Sequence, residues 1–205
     1  MTEPKSPATK RPARRPSGVA REEQLLERAL SLFSEIGYRE TSLQQIADHL
    51  GITRPLFYYY FASKEDLLSR LIGNLGDSML ERVRPALEST AGPLEVLEST
   101  FRIHVSVLLE NRDAFRIYFA ERNVGKEFGD QDALKGEAQY MELVTGVVAN
   151  GQAAGVIRAG NPRVIALFTT SMLNSVLRWY VPGGAMAAEQ IEEIASAMAV
   201  AALRP

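Results

Sequence analysis

The chain has 205 residues, 46% of them hydrophobic and 23% charged, with a net charge of −2 and no cysteine. This length supports one or two domains with a substantial core, and the lack of cysteine excludes disulfides and thiolate metal sites. No apolar run reaches membrane-spanning length and the basic N-terminus lacks the apolar stretch of a secretory signal, so a cytoplasmic protein with no membrane partner is expected.

The net charge hides an asymmetry. Residues 1–64 carry ten basic and seven acidic side chains, a net +3, which leaves −5 on the remainder. A basic end on an acidic body suits a protein that grips a polyanion with one end. Residues 1–20 are rich in Pro, Ser, Lys and Arg with little to bury, and are expected to be a disordered basic arm. Such an arm either neutralises phosphates or merely solubilises.

The first helix is expected over Arg21–Ile36, with Leu25, Leu26, Ala29, Leu30, Phe33 and Ile36 as its apolar stripe and Gly37 ending it. Thr41 is expected to cap a second, short helix, in which Leu43, Ile46, Ala47 and Leu50 recur at i, i+3, i+4 and i+7. Gly51 follows at the position where a left-handed backbone suits glycine. Thr53 caps a third helix, with Arg54 and Pro55 in its first turn. Two helices joined through a glycine turn form the helix-turn-helix pattern, whose second helix enters the DNA major groove. Ser63 caps a fourth helix with Asp66 at the capping-box position. That helix runs to about Leu87, broken near Pro85, with Gly73 and Gly76 as points of bending. Lys64 sits badly with the positive helix terminus, so an external anion suits it.

These residues carry a specific resemblance. Phe33, Gly37, Thr41, Ile46, Ala47, Gly51, Phe57, Tyr58, Tyr60, Phe61, Lys64, Leu67 and Leu68 resemble the DNA-binding domain of TetR-family regulators, and the run Phe57–Leu67 is similar to the family's recognition-helix signature. The resemblance covers residues 21–70 by motif. It implies an all-α protein: a three-helix helix-turn-helix domain at 21–67, then a helical ligand-binding and dimerisation domain at 68–205, about nine helices in all. It implies phosphate contacts at Thr41, Tyr58 and Lys64. Tyr59 stands where the family often has His. Thr53, Arg54, Pro55 and Leu56 begin the recognition helix, whose first residues face base edges. Arg54 can donate two hydrogen bonds to guanine or one to a phosphate. Pro55 and Leu56 depart from the Gly-Thr or Ala-Thr common there, so the operator sequence does not carry over.

Further along, helices are expected over Pro93–Glu110, Asp113–Glu121 (ended near Gly125), Gln131–Asn150, Pro162–Tyr180 and Ala188–Leu203. The last two are apolar over much of their circumference and must be buried on more than one side. The resemblance implies a homodimer, built by these two helices and their mates. A ligand pocket in the body would draw on Phe101, His104, Phe115, Tyr118, Phe119, Tyr140, Met141, Asn174, Arg178 and Trp179. Each of these also has an ordinary reading as core or surface, and His104, on an apolar face between Phe101 and Val107, reads more as a satisfied core histidine than as a ligand group. The stretch Leu177–Gly184 is similar to the end of the eighth helix in TetR-like regulators of fatty-acid and steroid catabolism, several of which respond to acyl-CoA thioesters. On that likeness Arg178 would meet phosphate and Trp179 would stack.

An enzyme has little to stand on. There are two histidines, no phosphate-binding glycine loop, no metal-ligand spacing and no nucleophile elbow, so no metal or cofactor is expected. The expected function is a ligand-responsive DNA-binding regulator, a repressor released from a palindromic operator by a small molecule such as an acyl-CoA. A regulator without a ligand, whose body only dimerises, is the alternative.

Overall fold

The computed structural model describes residues 18–127 and 134–205, so most of the basic arm lies outside the described residues, as does the stretch between the sixth and seventh helices. The described residues form ten helical segments and no strand: α1 (Gly18–Ile36), α2 (Leu43–Leu50), α3 (Arg54–Tyr60), α4 (Lys64–Leu87), α5 (Pro93–Glu110), α6 (Arg112–Glu127), α7 (Lys135–Ala153), α8 (Pro162–Asn174), α9 (Val176–Trp179) and α10 (Ala188–Ala201).

The head consists of α1–α3 and the first turns of α4. Leu25, Ala29, Phe33, Ile46, Leu50 and Phe57 are fully or almost fully buried in it. Tyr38 folds back edge-on against Phe33, with ring centroids 5.2 Å apart. The cap of α2 differs from expectation. Ser42, not Thr41, is the cap; its hydroxyl accepts from the Gln45 amide, and Gln45 Oε1 accepts from the Ser42 amide at 2.8 Å. Thr41 is instead buried, its hydroxyl donating to the Gly37 carbonyl oxygen, so it fastens the turn after α1. Gly51 ends α2 with φ +67°. The Arg28 guanidinium reaches across from α1 to the Leu50 carbonyl (2.7 Å) and the His49 carbonyl. A cation there satisfies two of the orphan acceptors at the end of α2. Thr53 caps α3 as expected.

Ser63 caps α4, and Asp66 Oδ2 accepts from the Ala62 amide at 2.7 Å. The helix does not break at Pro85. That proline is exposed and two residues from the end of the helix, so the lost hydrogen bond falls on a solvated last turn. In the body, α5 is the central helix, packed against α4, α7, α8 and α10. Its residues Leu97, Phe101, Val105 and Leu108 are fully buried.

The expected helix Pro162–Tyr180 appears as two pieces. At Ser175 the backbone tightens, with its amide and its hydroxyl both donating to the Met172 carbonyl, the hydroxyl at 2.6 Å. A side chain that competes for the backbone carbonyl in this way bends a helix. The sixth helix runs past Gly125 to Glu127, and the seventh is described from Lys135 to Ala153.

Candidate DNA-binding face and effector cavity

The head presents one polar and aromatic surface. Thr53, Arg54, Pro55, Leu56, Tyr58 and Tyr59 are all exposed around the buried Phe57, with Tyr59 79% exposed. Helical spacing explains this: Phe57 takes the core-facing position and its neighbours radiate outward. Two expected contacts are placed otherwise. Thr41 is 2% exposed and its hydroxyl is committed to Gly37, so its side chain is not on this face. Lys64 is half-buried. Its ammonium donates to the Thr41 carbonyl at 2.6 Å and lies 4.2 Å from the centre of the Tyr38 ring, so backbone and ring supply the negative partners expected from outside. Burial lowers its pKa, opposed by Glu65, Glu40 and Glu121. Ser42 is exposed at the start of α2, which it caps with Gln45; Thr41 stands in the same spacing to Gln44, so the hydroxyl-x-x-Gln pattern fits both residues.

Besides the chain itself, α1 of the head packs against α6, and ion pairs tie the two parts together. Arg39 Nε bonds both Glu121 oxygens on α6 at 3.2 Å, and Arg70 of α4 bridges to Glu22 of α1 at 2.8 Å. α6 therefore touches the head with Glu121 while Phe115, Tyr118 and Phe119 on the same helix face the interior of the body.

Those three residues line a cavity of about 130 Å³. It also takes in His104 of α5, Tyr140 of α7 and Asn174 of α8. His104 is held from both sides, its Nδ1 2.9 Å from the Tyr140 hydroxyl and its Nε2 2.9 Å from Asn174 Oδ1. An amide oxygen only accepts, so Nε2 carries the proton and donates to Asn174, and the Tyr140 hydroxyl donates to Nδ1. Burial pushes the His104 pKa down to about 4, only partly opposed by the Asn174 hydrogen bond, so the ring is neutral. Burial alone raises the Tyr140 pKa. Glu137, which was not foreseen, also lines the cavity and accepts from the Tyr118 hydroxyl at 2.7 Å. It lies three residues before Tyr140, on the same helical face.

Not every expected ligand residue is gathered here. Phe101 is fully buried in the core and does not reach the cavity. Arg178 lines an adjoining open groove with Arg116, and that groove shares Phe119, Ser171 and Asn174 with the cavity. Trp179 faces elsewhere, into an apolar groove with Met172, Met186, Ile194 and Met198. Consecutive helical residues diverge by about 100°, so Arg178 and Trp179 do not form one site. Among the described residues no group of three His, Asp or Glu is placed to hold a metal ion, and no helix is long and apolar enough to cross a membrane.

Comparison with known proteins matches this arrangement throughout. Residues 25–71 match the N-terminal model of the bacterial tetR family of regulatory proteins. Residues 90–203 match a tetracyclin repressor-like C-terminal domain. The chain is 29% identical over 188 residues to the transcriptional repressor KstR2 of Mycobacterium tuberculosis, covering 84% of this chain and 87% of that protein. The solved structure of that ketosteroid regulator superposes with a TM-score of 0.78 at 27% identity, covering 90% and 95% of the two chains. PfmR of Thermus thermophilus, a TetR-family regulator, gives 0.77 at 26% identity over 88% and 99%. AibR, solved with isovaleryl coenzyme A and operator DNA, gives 0.76 at 25% identity over 87% and 97%. With a helix-turn-helix head, an exposed recognition helix and an all-helical body matched over more than half its length, the chain belongs to the TetR family of DNA-binding transcriptional regulators.

Proposed function

We propose that this regulator is a homodimeric repressor whose two heads read a palindromic operator and whose body cavity receives the molecule that releases it. The head, residues 21–67, carries the DNA contacts at Thr53, Arg54, Pro55, Leu56, Tyr58 and Tyr59, with Lys64 adding positive potential beside them. The body, residues 68–205, dimerises and senses. DNA binding puts the protein with the chromosome, in the cytoplasm. The observation that carries the reading is the double role of α6: it lines the cavity with Phe115, Tyr118 and Phe119 and holds the head through Glu121 and Arg39.

Dimerisation is supported by the apolar side chains that α8–α10 leave uncovered. Phe168 is 76% exposed and Met198 60%, with Leu167, Met172, Trp179 and Ile194 also exposed. An apolar patch of this kind marks an association surface. A two-fold dimer matches palindromic DNA with half-sites one helical turn apart. A ligand releases DNA only if it binds the DNA-incompetent state more tightly. An acyl-CoA thioester is the effector class favoured by the arginine-lined groove at the cavity mouth.

Fluorescence anisotropy on labelled DNA from upstream of the protein's own gene tests this at fixed salt. Binding about a thousandfold tighter than to a scrambled duplex, with release by an acyl-CoA, is the expected outcome. Equal binding to both duplexes overturns autoregulation through that site. Specific binding that no thioester loosens leaves a regulator without this effector.

A further inference from the structure

The positive charge at this end of the chain belongs to the arm and not to the folded head. Residues 1–17 hold Lys5, Lys10, Arg11, Arg14 and Arg15 against Glu3, a net +4, whereas residues 18–64 hold five bases and six acids, a net −1. Three of those five bases are already engaged within the protein: Arg28 with the end of α2, Arg39 with Glu121 and Lys64 with the Thr41 carbonyl. Outside the arm, that leaves Arg21 and Arg54. Where the arm's cations go when no DNA is present therefore depends on the surface nearest to the start of α1.

That surface is a groove of about 270 Å³ between α1 and α4. Its floor is apolar, made by Leu26 and Leu30 of α1 and Leu71 and Leu75 of α4. Glu23 and Glu27 stand exposed on its rim, with no hydrogen bond or ion pair among the described residues, and no described lining residue is a cation. Their neighbour Glu22 is taken, because it holds Arg70 at 2.8 Å. Apolar floor and unpaired carboxylates together suit a cation on an aliphatic stem, the stem covering leucine while the charged end meets the acid.

We propose that in the DNA-free protein residues 10–15 of the arm lie in this groove, with Arg14 or Arg15 on Glu23 and Lys10 or Arg11 on Glu27, and that DNA phosphates draw these cations away. Reach and register both fit. α1 begins at Gly18, and Glu23, Leu26, Glu27 and Leu30 share one helical face. Leu30 is about 18 Å along the helix from Gly18. Pro16 and Ser17 suit a chain reversal just before α1. With Pro4, Pro7 and Pro12 before them, the arm favours an extended form rising about 3.1 Å per residue. About six residues beyond the reversal then run the same length as the groove. Any duplex, whatever its sequence, must outcompete two carboxylates before it gains the arm. The exchange is between charged partners at the surface, so salt weakens both sides of it.

The test uses the full chain. A carbodiimide joins an amine directly to a carboxylate in contact with it. Treatment of the DNA-free protein at low salt, followed by peptide mass spectrometry, is expected to join Lys10 to Glu23 or Glu27 in a product of single-chain mass. Duplex DNA added beforehand is expected to remove that link. The proposal is overturned by no link from Lys10 to the groove, by links of comparable yield to exposed acids elsewhere such as Glu142 and Glu189, or by a groove link found only in a product of two-chain mass. Four full-length proteins then measure the contact by its effect: the unmodified chain, Glu23→Gln with Glu27→Gln, the arm with Lys10, Arg11, Arg14 and Arg15 each replaced by Gln, and both sets combined. Plain repulsion between the two acids and DNA is common to both arms and cancels. Removing the acids should therefore tighten binding to a scrambled duplex by about threefold more with the natural arm than with the neutral one. An equal effect in the two backgrounds overturns the docking. Neither measurement uses an operator or an effector, so failure here leaves the repressor reading standing.

Discussion

Gly76 and Gly136 bring the backbones of α4 and α7 into direct contact beside the cavity. A methyl group on Gly136 would meet the Gly76 carbonyl carbon at 2.6 Å and the Asp77 amide at 2.8 Å. Both obstacles are backbone, so a helix must move. Gly136→Ala is expected to destabilise the fold by about 1–3 kcal/mol, the usual cost of overpacking, read as a lower midpoint in urea. Because α4 carries the head, the same variant should bind operator DNA more weakly. A midpoint equal to that of the unmodified protein would show that α4 and α7 part freely.

The buried imidazole of His104 links stability to pH. Its pKa is about 4 in the folded protein against about 6.5 in the unfolded chain. Between these values the unfolded chain binds the extra proton. The contribution is complete above about pH 6.5 and is lost as pH falls toward 4, on the order of 3 kcal/mol in all. Replacing His104 by Gln should remove this slope. Carboxylates such as Glu110, held low by Arg82, titrate alike in both proteins and cancel in the difference. Urea unfolding at pH 7 and pH 4.5 measures it; equal pH dependence in the two proteins would contradict a neutral buried ring.

The two candidate roles of Arg54 separate by salt. As a phosphate contact, Arg54→Ala should reduce the slope of log affinity against log salt by about one and weaken all duplexes alike. As a base contact it should cost about 1–3 kcal/mol on the operator and little on scrambled DNA. Tyr59→Ala, at a side chain 79% exposed, should leave thermal stability within about 0.5 kcal/mol while weakening operator binding. Anisotropy titrations at several salt concentrations decide each case.

The uncovered face of α8–α10 makes a prediction about mass. Phe168→Asp combined with Met198→Glu puts like charges on both copies where apolar contact is expected. The double variant should sediment as a monomer and lose most operator affinity, with helical content retained. A dimer that survives both charges would place the interface elsewhere.

Much of this was legible in the chain. The head was, because its signals are local: Gly51 and the capping Thr53 lie within a few residues of what they terminate or cap. The exchange of Thr41 for Ser42 came from two adjacent hydroxyl residues, each with a glutamine three positions on, Gln44 and Gln45, so the capping-box spacing alone does not separate them; Ser42 caps the helix with Gln45 while the Thr41 hydroxyl turns back to Gly37. The cavity was half legible. His104, Tyr140 and Asn174 come from three separate helices, and no spacing in the sequence announces that they meet. Glu137 and Arg116 look like ordinary surface charges until packing turns one inward and sets the other at the cavity mouth. The break at Ser175 was hidden because serine is compatible with both a continued helix and a hydroxyl that closes onto Met172.

That break has an effect on how the protein can change over time. Arg178 and Trp179 are neighbours in one short turn, yet the first lines the groove at the cavity mouth and the second the apolar groove with Met172, Met186 and Met198. Both residues sit on one turn of four residues, so a shift of that backbone moves both side chains. Substitutions at position 178 that shift this turn are therefore expected to disturb the packing of Trp179 as well, and to be accompanied by changes among Met172, Met186 and Met198, the pliable residues around that tryptophan.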